Sequence, residues 1–175
     1  MNSKPCSDYP RKKLYWILTF PMMLLHSAIA ILLFKFHWSV FLIYLSLIIL
    51  VALSMSFVCH HWKCPYIGKF APCVGGFCLP SSRIAVLWKN QQRSEKRYKF
   101  ALNIAYTYFF GIILFPIYFI FLYGWLTMVM YILIVFIYAF LFSIYIYPVC
   151  RTREVCPGGQ SAMKLQKWMN KKTSS

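Results

Sequence analysis

The stretch WSVFLIYLSLIILVALSMSFVCHHWKC, Trp38 to Cys64, decides how the chain is read. From Trp38 to Val58 it carries no charged residue. A bilayer core about 30 Å thick is crossed by roughly 20 helical residues, and this run has that length. It ends on Cys59, then His60 and His61, then a second thiol, Cys64. Three more blocks have the same character: Leu14 to Phe34, Phe100 to Tyr123 and Trp125 to Tyr147. Helix is the expected form of each, because lipid offers no partner to an unpaired backbone amide or carbonyl. The 175 residues are 61% hydrophobic and 20% aromatic, more apolar surface than a soluble domain of this length buries. The expectation is an all-α membrane protein with four transmembrane helices.

Charge orients the spans. The chain has 19 Lys and Arg against 3 Asp and Glu. All the basic residues except Lys35 lie before the first block, between the second and third, or after the fourth. The positive-inside rule makes that side cytoplasmic, with both termini on it. The net charge of +16 is then mostly an orientation signal and a means of contacting anionic lipid headgroups, not a nucleic-acid footprint. Ala28-Ile29-Ala30 resembles a signal-cleavage site, but the apolar run continues through Leu33, so an uncleaved span is expected. The divisions expected are a tail over 1–13, a hairpin over 14–58, a cysteine-rich basic loop over 59–99, a hairpin over 100–147 and a tail over 148–175.

The two halves echo one another. Val58-Cys59 matches Val149-Cys150, Cys64-Pro65 matches Cys156-Pro157, Gly75-Gly76 matches Gly158-Gly159, and Trp88 matches Trp168. Two spans per half give both halves one orientation, so the pattern predicts a parallel pseudo-repeat about an axis along the membrane normal. After each thiol pair comes a short basic amphipathic segment. Ile84, Leu87 and Trp88 share a face beside Arg83 and Lys89. Leu165, Trp168 and Met169 share a face beside Lys164 and Lys167. Both are expected on the cytoplasmic leaflet with Trp at headgroup depth. Ser81 or Ser82 is placed to cap the first of them.

Under this topology all 7 cysteines face a reducing compartment, where a permanent disulfide framework is not expected. Clustered thiols there point to a metal, to redox chemistry or to lipidation. The spacings Cys59-x4-Cys64 and Cys73-x4-Cys78 fall in the zinc range, and Cys150-x5-Cys156 is slightly long. One site could join Cys59 and Cys64 to Cys150 and Cys156, with Cys73 and Cys78 as further ligands and His60 or His61 as substitutes. Zinc is favoured over an iron-sulphur cluster, because the compact cysteine run of bacterial ferredoxins is missing. S-palmitoylation would account for Cys59, Cys150 and Cys6, but not for the second Cys-Pro that follows each span-ending thiol.

Within the spans, His26 is an ionisable group at mid-membrane, read either as a functional residue or as an imidazole hydrogen-bonded in the bundle, for example to a Ser. Pro21 is expected to kink the first span. Ala52 and Ser56 have the small-residue spacing of close helix packing. Tyr131, Tyr138 and Tyr145 lie seven apart on one helix face, suited to packing with hydroxyls reaching neighbouring helices. The absence of any intramembrane acid argues against an ion-coupled transporter, and few acids remain for general acid-base catalysis. No P-loop, dinucleotide fingerprint or hydrolase triad is present.

The expected function is therefore a cysteine-bound metal centre on the cytoplasmic face, structural or regulatory, in a subunit of a membrane complex or a homo-oligomer. The competing expectation is a membrane thiol oxidoreductase that passes electrons between paired cysteines and a quinone. In that reading the chain resembles the disulfide-forming and vitamin K epoxide reductase families in architecture alone. Those families use Cys-x2-Cys on the oxidising side, which this chain lacks.

Overall fold

A computed structural model describes residues 11–61, 64, 66–68, 76–88, 90–92, 94–149 and 157–173. The described residues form six α-helices and no strand. Helices α1 (Lys12–Phe36), α2 (Trp38–His61), α4 (Glu95–Tyr123) and α5 (Trp125–Tyr145) are long and apolar enough to cross a membrane. Only 17% to 28% of the most apolar window of each is buried within the protein. Their outer faces present Phe20, Leu24, Ile31, Phe110, Leu114 and Leu126. So large an exposed apolar belt would aggregate in water and fits a lipid bilayer. The protein is an integral membrane protein by that criterion.

Each hairpin turns through one residue. His37 joins α1 to α2 in extended conformation, and its Nδ1 accepts the Ser39 amide at 3.2 Å, which caps the start of α2. Gly124 joins α4 to α5 at φ +149° and ψ 142°, a conformation a side chain would strain. Pro21 and Pro116 lie inside α1 and α4, and both helices run on through them. Helix α4 begins at Glu95, ahead of the expected Phe100, because the basic stretch continues the helix past the apolar block.

The bundle is built on α2 packed along α4, with Leu47 of α2 beside Gly111 of α4. Helix α1 flanks α2, α5 flanks α4, and a lighter contact between α1 and α5 closes the bundle. Equal halves would make the α1–α5 contact a copy of the α2–α4 contact, and the two are far from equal. Arg11 fastens the closure: its guanidinium donates to the Tyr145 carbonyl at 2.7 Å, at the C-terminus of α5 where carbonyls lack helical partners.

One apolar cluster, with Ile29, Leu33, Tyr44, Val51, Ile112, Ile120 and Tyr131, fills the end of the bundle near the hairpin turns. A second, with Tyr15, Met22, Tyr66, Tyr138, Phe142 and Ile146, fills the opposite end, where α1 begins and α5 ends. That end, which among the described residues also carries Arg11, Lys12, Lys96 and Arg97, is called the basic end below.

Helix α3 (Cys78–Ile84) and a 3-10 turn (Ala85–Trp88) do not lie apart from the bundle. They pack along α2. Helix α6 (Pro157–Thr173) packs against α5 and the 3-10 turn Tyr147–Val149, with Ala162 buried and Lys164 and Lys167 exposed.

Candidate functional site

Cys59 and Cys64 form the described part of the thiol constellation. Cys59 is buried in the last turn of α2, and Cys64 is half-buried just beyond. The Cys64 amide donates to the Cys59 carbonyl at 3.1 Å, and the Ile67 amide donates to the Cys64 carbonyl at 3.1 Å. The first of these bonds keeps the two cysteines about one turn apart. Cys64 packs against the cluster at the basic end, whose members include Tyr66 and, from the other hairpin, Phe142 and Ile146. Tyr147 packs against the same cluster. Cys64 therefore shares a cluster with residues near the end of α5, and Cys150 follows Val149 in sequence.

Cys73, Cys150 and Cys156 lie outside the described residues, as does Lys89. The backbone of Cys78 opens α3 and that of Trp168 lies in α6, but their side chains are outside the described set. Among the described residues no three His, Cys, Asp or Glu side chains gather as a metal site.

The segment after Gly76 is the feature that sequence reading placed differently. Gly76 has φ +76°, and a Cβ there would come within 3.3 Å of the Thr19 Cγ2. Phe77 reaches farther, its ring 5.7 Å from that of His26 and 6.4 Å from that of Phe109. His26 is more than three turns into α1, so Phe77 lies well inside the bundle. Helix α3 then runs back along α2. The Ser81 hydroxyl is fully buried and lies 2.7 Å from both the Ala52 and the Phe77 carbonyl, so its single proton is shared between them. Ser81 and Ser82 therefore sit within α3 and do not cap it; the residue before the helix is Phe77. The Trp88 indole donates to the Ser56 hydroxyl at 3.1 Å and stacks on Phe57 at 4.2 Å. Ala52 and Ser56, the small pair of α2, receive this segment. Arg83 is exposed beside it. Polar backbone at this depth is stable only when protein covers it, and α1, α2 and Phe109 supply that cover.

His26 meets Tyr44, not a Ser: its Nδ1 and the Tyr44 hydroxyl are 2.7 Å apart across the first hairpin. Next to His26 is an almost wholly apolar cavity of about 50 Å³ bounded by Met22, Phe77, Phe109, Ile112 and Val135. Of the tyrosine stripe, Tyr131 is buried and donates to the Ile113 carbonyl at 3.0 Å, Tyr138 is buried, and Tyr145 is exposed. The expected packing role holds for the first two.

Compared with protein-family models, curated proteins and solved structures, the chain matches none.

Proposed function

We propose that this integral membrane protein holds one metal ion on Cys59, Cys64, Cys150 and Cys156, zinc in preference to an iron-sulphur cluster. The ion ties together the ends of two hairpins whose sequences read as a parallel pseudo-repeat, although their helix contacts are unequal. Both termini and the thiols face the cytoplasm, and the role is structural or regulatory within a membrane complex. Cys73 and Cys78 are further ligands available from the same loop. Arg83, Lys89, Lys164 and Lys167, with Trp88 and Trp168, supply contacts to anionic lipid headgroups.

The observation that carries the reading is the place of Cys64. It is in the first half of the chain, yet it packs on a cluster containing Phe142 and Ile146 of the second hairpin. From Tyr147 to Cys150 the chain can span at most ~10 Å, at about 3.3 to 3.6 Å per extended residue. The shared cluster and the short tether to Cys150 support bringing the two thiol pairs to one ion. Four thiolates satisfy the tetrahedral preference of zinc, and two ligands fixed at a helix end lower the ordering cost of the rest.

Elemental analysis and the visible spectrum of anaerobically purified protein test the reading. About one zinc per chain with a featureless visible spectrum is expected. Metal-free protein with a reducible Cys59–Cys64 disulfide would replace it with the thiol oxidoreductase.

A further inference from the structure

Along its outer side, α4 carries a row of exposed side chains: Phe100, Asn103, Thr107, Phe110, Leu114 and Phe121. The intervals are three, four, three, four and seven residues, the heptad spacing of a seam between two helices. Most of the row is apolar, but Asn103 is the one amide side chain in the four spanning helices. Lys99 is the last charged residue of α4. At 1.5 Å per residue, Asn103 lies about 6 Å and Thr107 about 12 Å beyond it, at the edge of the hydrocarbon and inside it.

The other exposed serines and threonines of the spans are satisfied within the chain. Ser27 donates to the Met23 carbonyl, Ser46 to the Leu42 carbonyl and Thr127 to the Gly124 carbonyl. Asn103 and Thr107 make no hydrogen bond among the described residues. Lipid offers them none either, so this face of α4 is incomplete as it stands.

We propose that the row is the contact between two copies of this chain, with the two Asn103 carboxamides hydrogen-bonded to each other. Copies inserted the same way are related by a two-fold axis along the membrane normal. Their α4 helices then run parallel at the axis, and each residue of the seam meets its own counterpart. A carboxamide is its own complement: its amino group donates to the opposite oxygen while its oxygen accepts in return. Any other partner would need a polar group matched in depth, whereas a second copy necessarily brings one. Thr107 is small enough to let the helices approach, and Phe110, Leu114 and Phe121 pack along the rest. The contact uses neither thiols nor metal, so it is independent of the proposed metal tie.

Two measurements on the full chain test it. Phe110→benzoylphenylalanine is irradiated in membranes of the cells that express it. A covalent dimer is expected, with the crosslink mapped by mass spectrometry to α4 of the second copy. The same probe at Phe136, on the outer face of α5 and equally exposed, should give no dimer. Energy transfer between labelled copies diluted in lipid vesicles then measures dissociation. Asn103→Leu should weaken association at least about threefold, the scale of an interhelical polar bond in lipid. Ser46→Ala, which removes a hydroxyl already satisfied in its own helix, should leave association unchanged. A Phe110 probe that forms no adduct, or only adducts with lipid, with another protein or outside α4 of a second copy, overturns the proposal. So does association of Asn103→Leu within threefold of wild type, or an equal loss in Ser46→Ala.

Discussion

Gly76 and Thr19 belong to different elements, and a Cβ added to Gly76 would lie 3.3 Å from the Thr19 Cγ2. The contact fixes how deeply the chain enters the bundle before turning back as α3. Because Gly76 sits at φ +76°, an L side chain there pays conformational strain as well as crowding. Gly76→Ala is expected to destabilise the protein by about 1–2 kcal/mol. Gly111→Ala is the contrast. Gly111 is helical, and its Cβ would meet Leu47 at an ordinary 3.7 Å. It should be neutral or stabilising by up to ~1 kcal/mol. Thermal unfolding in one detergent compares the two, and equal effects would mean that Gly76 is not at a close approach.

Tyr44→Phe removes the hydroxyl that meets His26 and keeps the ring, which stacks on Phe115 at 17°. The imidazole is then left in an apolar surrounding with one partner fewer, at a cost of about 1–3 kcal/mol. Tyr118→Phe, on a residue 65% exposed, should change nothing measurable. Denaturant titration of the two variants in mixed micelles is the check; equal midpoints would place His26 in contact with water.

The four long helices were legible because each needs only its own residues: a run of apolar side chains about 20 long specifies a span without reference to any partner. The structure lengthens three of them, to Phe36, His61 and Glu95, where the flanking Lys35, His60 and Lys96 continue the winding, and ends α5 at Tyr145, two residues short of the end of the apolar block. The course of α3 was not legible. Cys78-Leu79-Pro80-Ser81-Ser82 looks like a polar connector, and its burial depends on the Ala52 carbonyl and the Ser56 hydroxyl in another helix. Likewise nothing local pairs His26 with Tyr44; the one-residue turn at His37 sets that register. At the thiols, Cys59 and Cys64 are joined locally by a backbone hydrogen bond, whereas the cluster that Cys64 shares with Phe142 and Ile146 depends on the packing of the second hairpin.

The orientation we propose for the spans rests on the sequence, where Lys35 alone among the 19 Lys and Arg lies between the two apolar blocks of a hairpin. An impermeant thiol reagent applied to intact cells should label no native cysteine, and should label several once the membrane is opened. Labelling of Cys73 or Cys78 from outside would reverse the topology and expose the thiols to an oxidising compartment.

The inter-hairpin metal tie is tested most directly by metal content across single Cys→Ser variants of the full chain, purified anaerobically and read as zinc per protein. Cys59→Ser, Cys64→Ser, Cys150→Ser and Cys156→Ser should each lose most of the metal, because a four-thiolate site missing one ligand binds far more weakly. Cys6→Ser should retain it. Full metal in Cys150→Ser and Cys156→Ser together with loss in Cys73→Ser would place the site within the first loop alone and contradict the clamp.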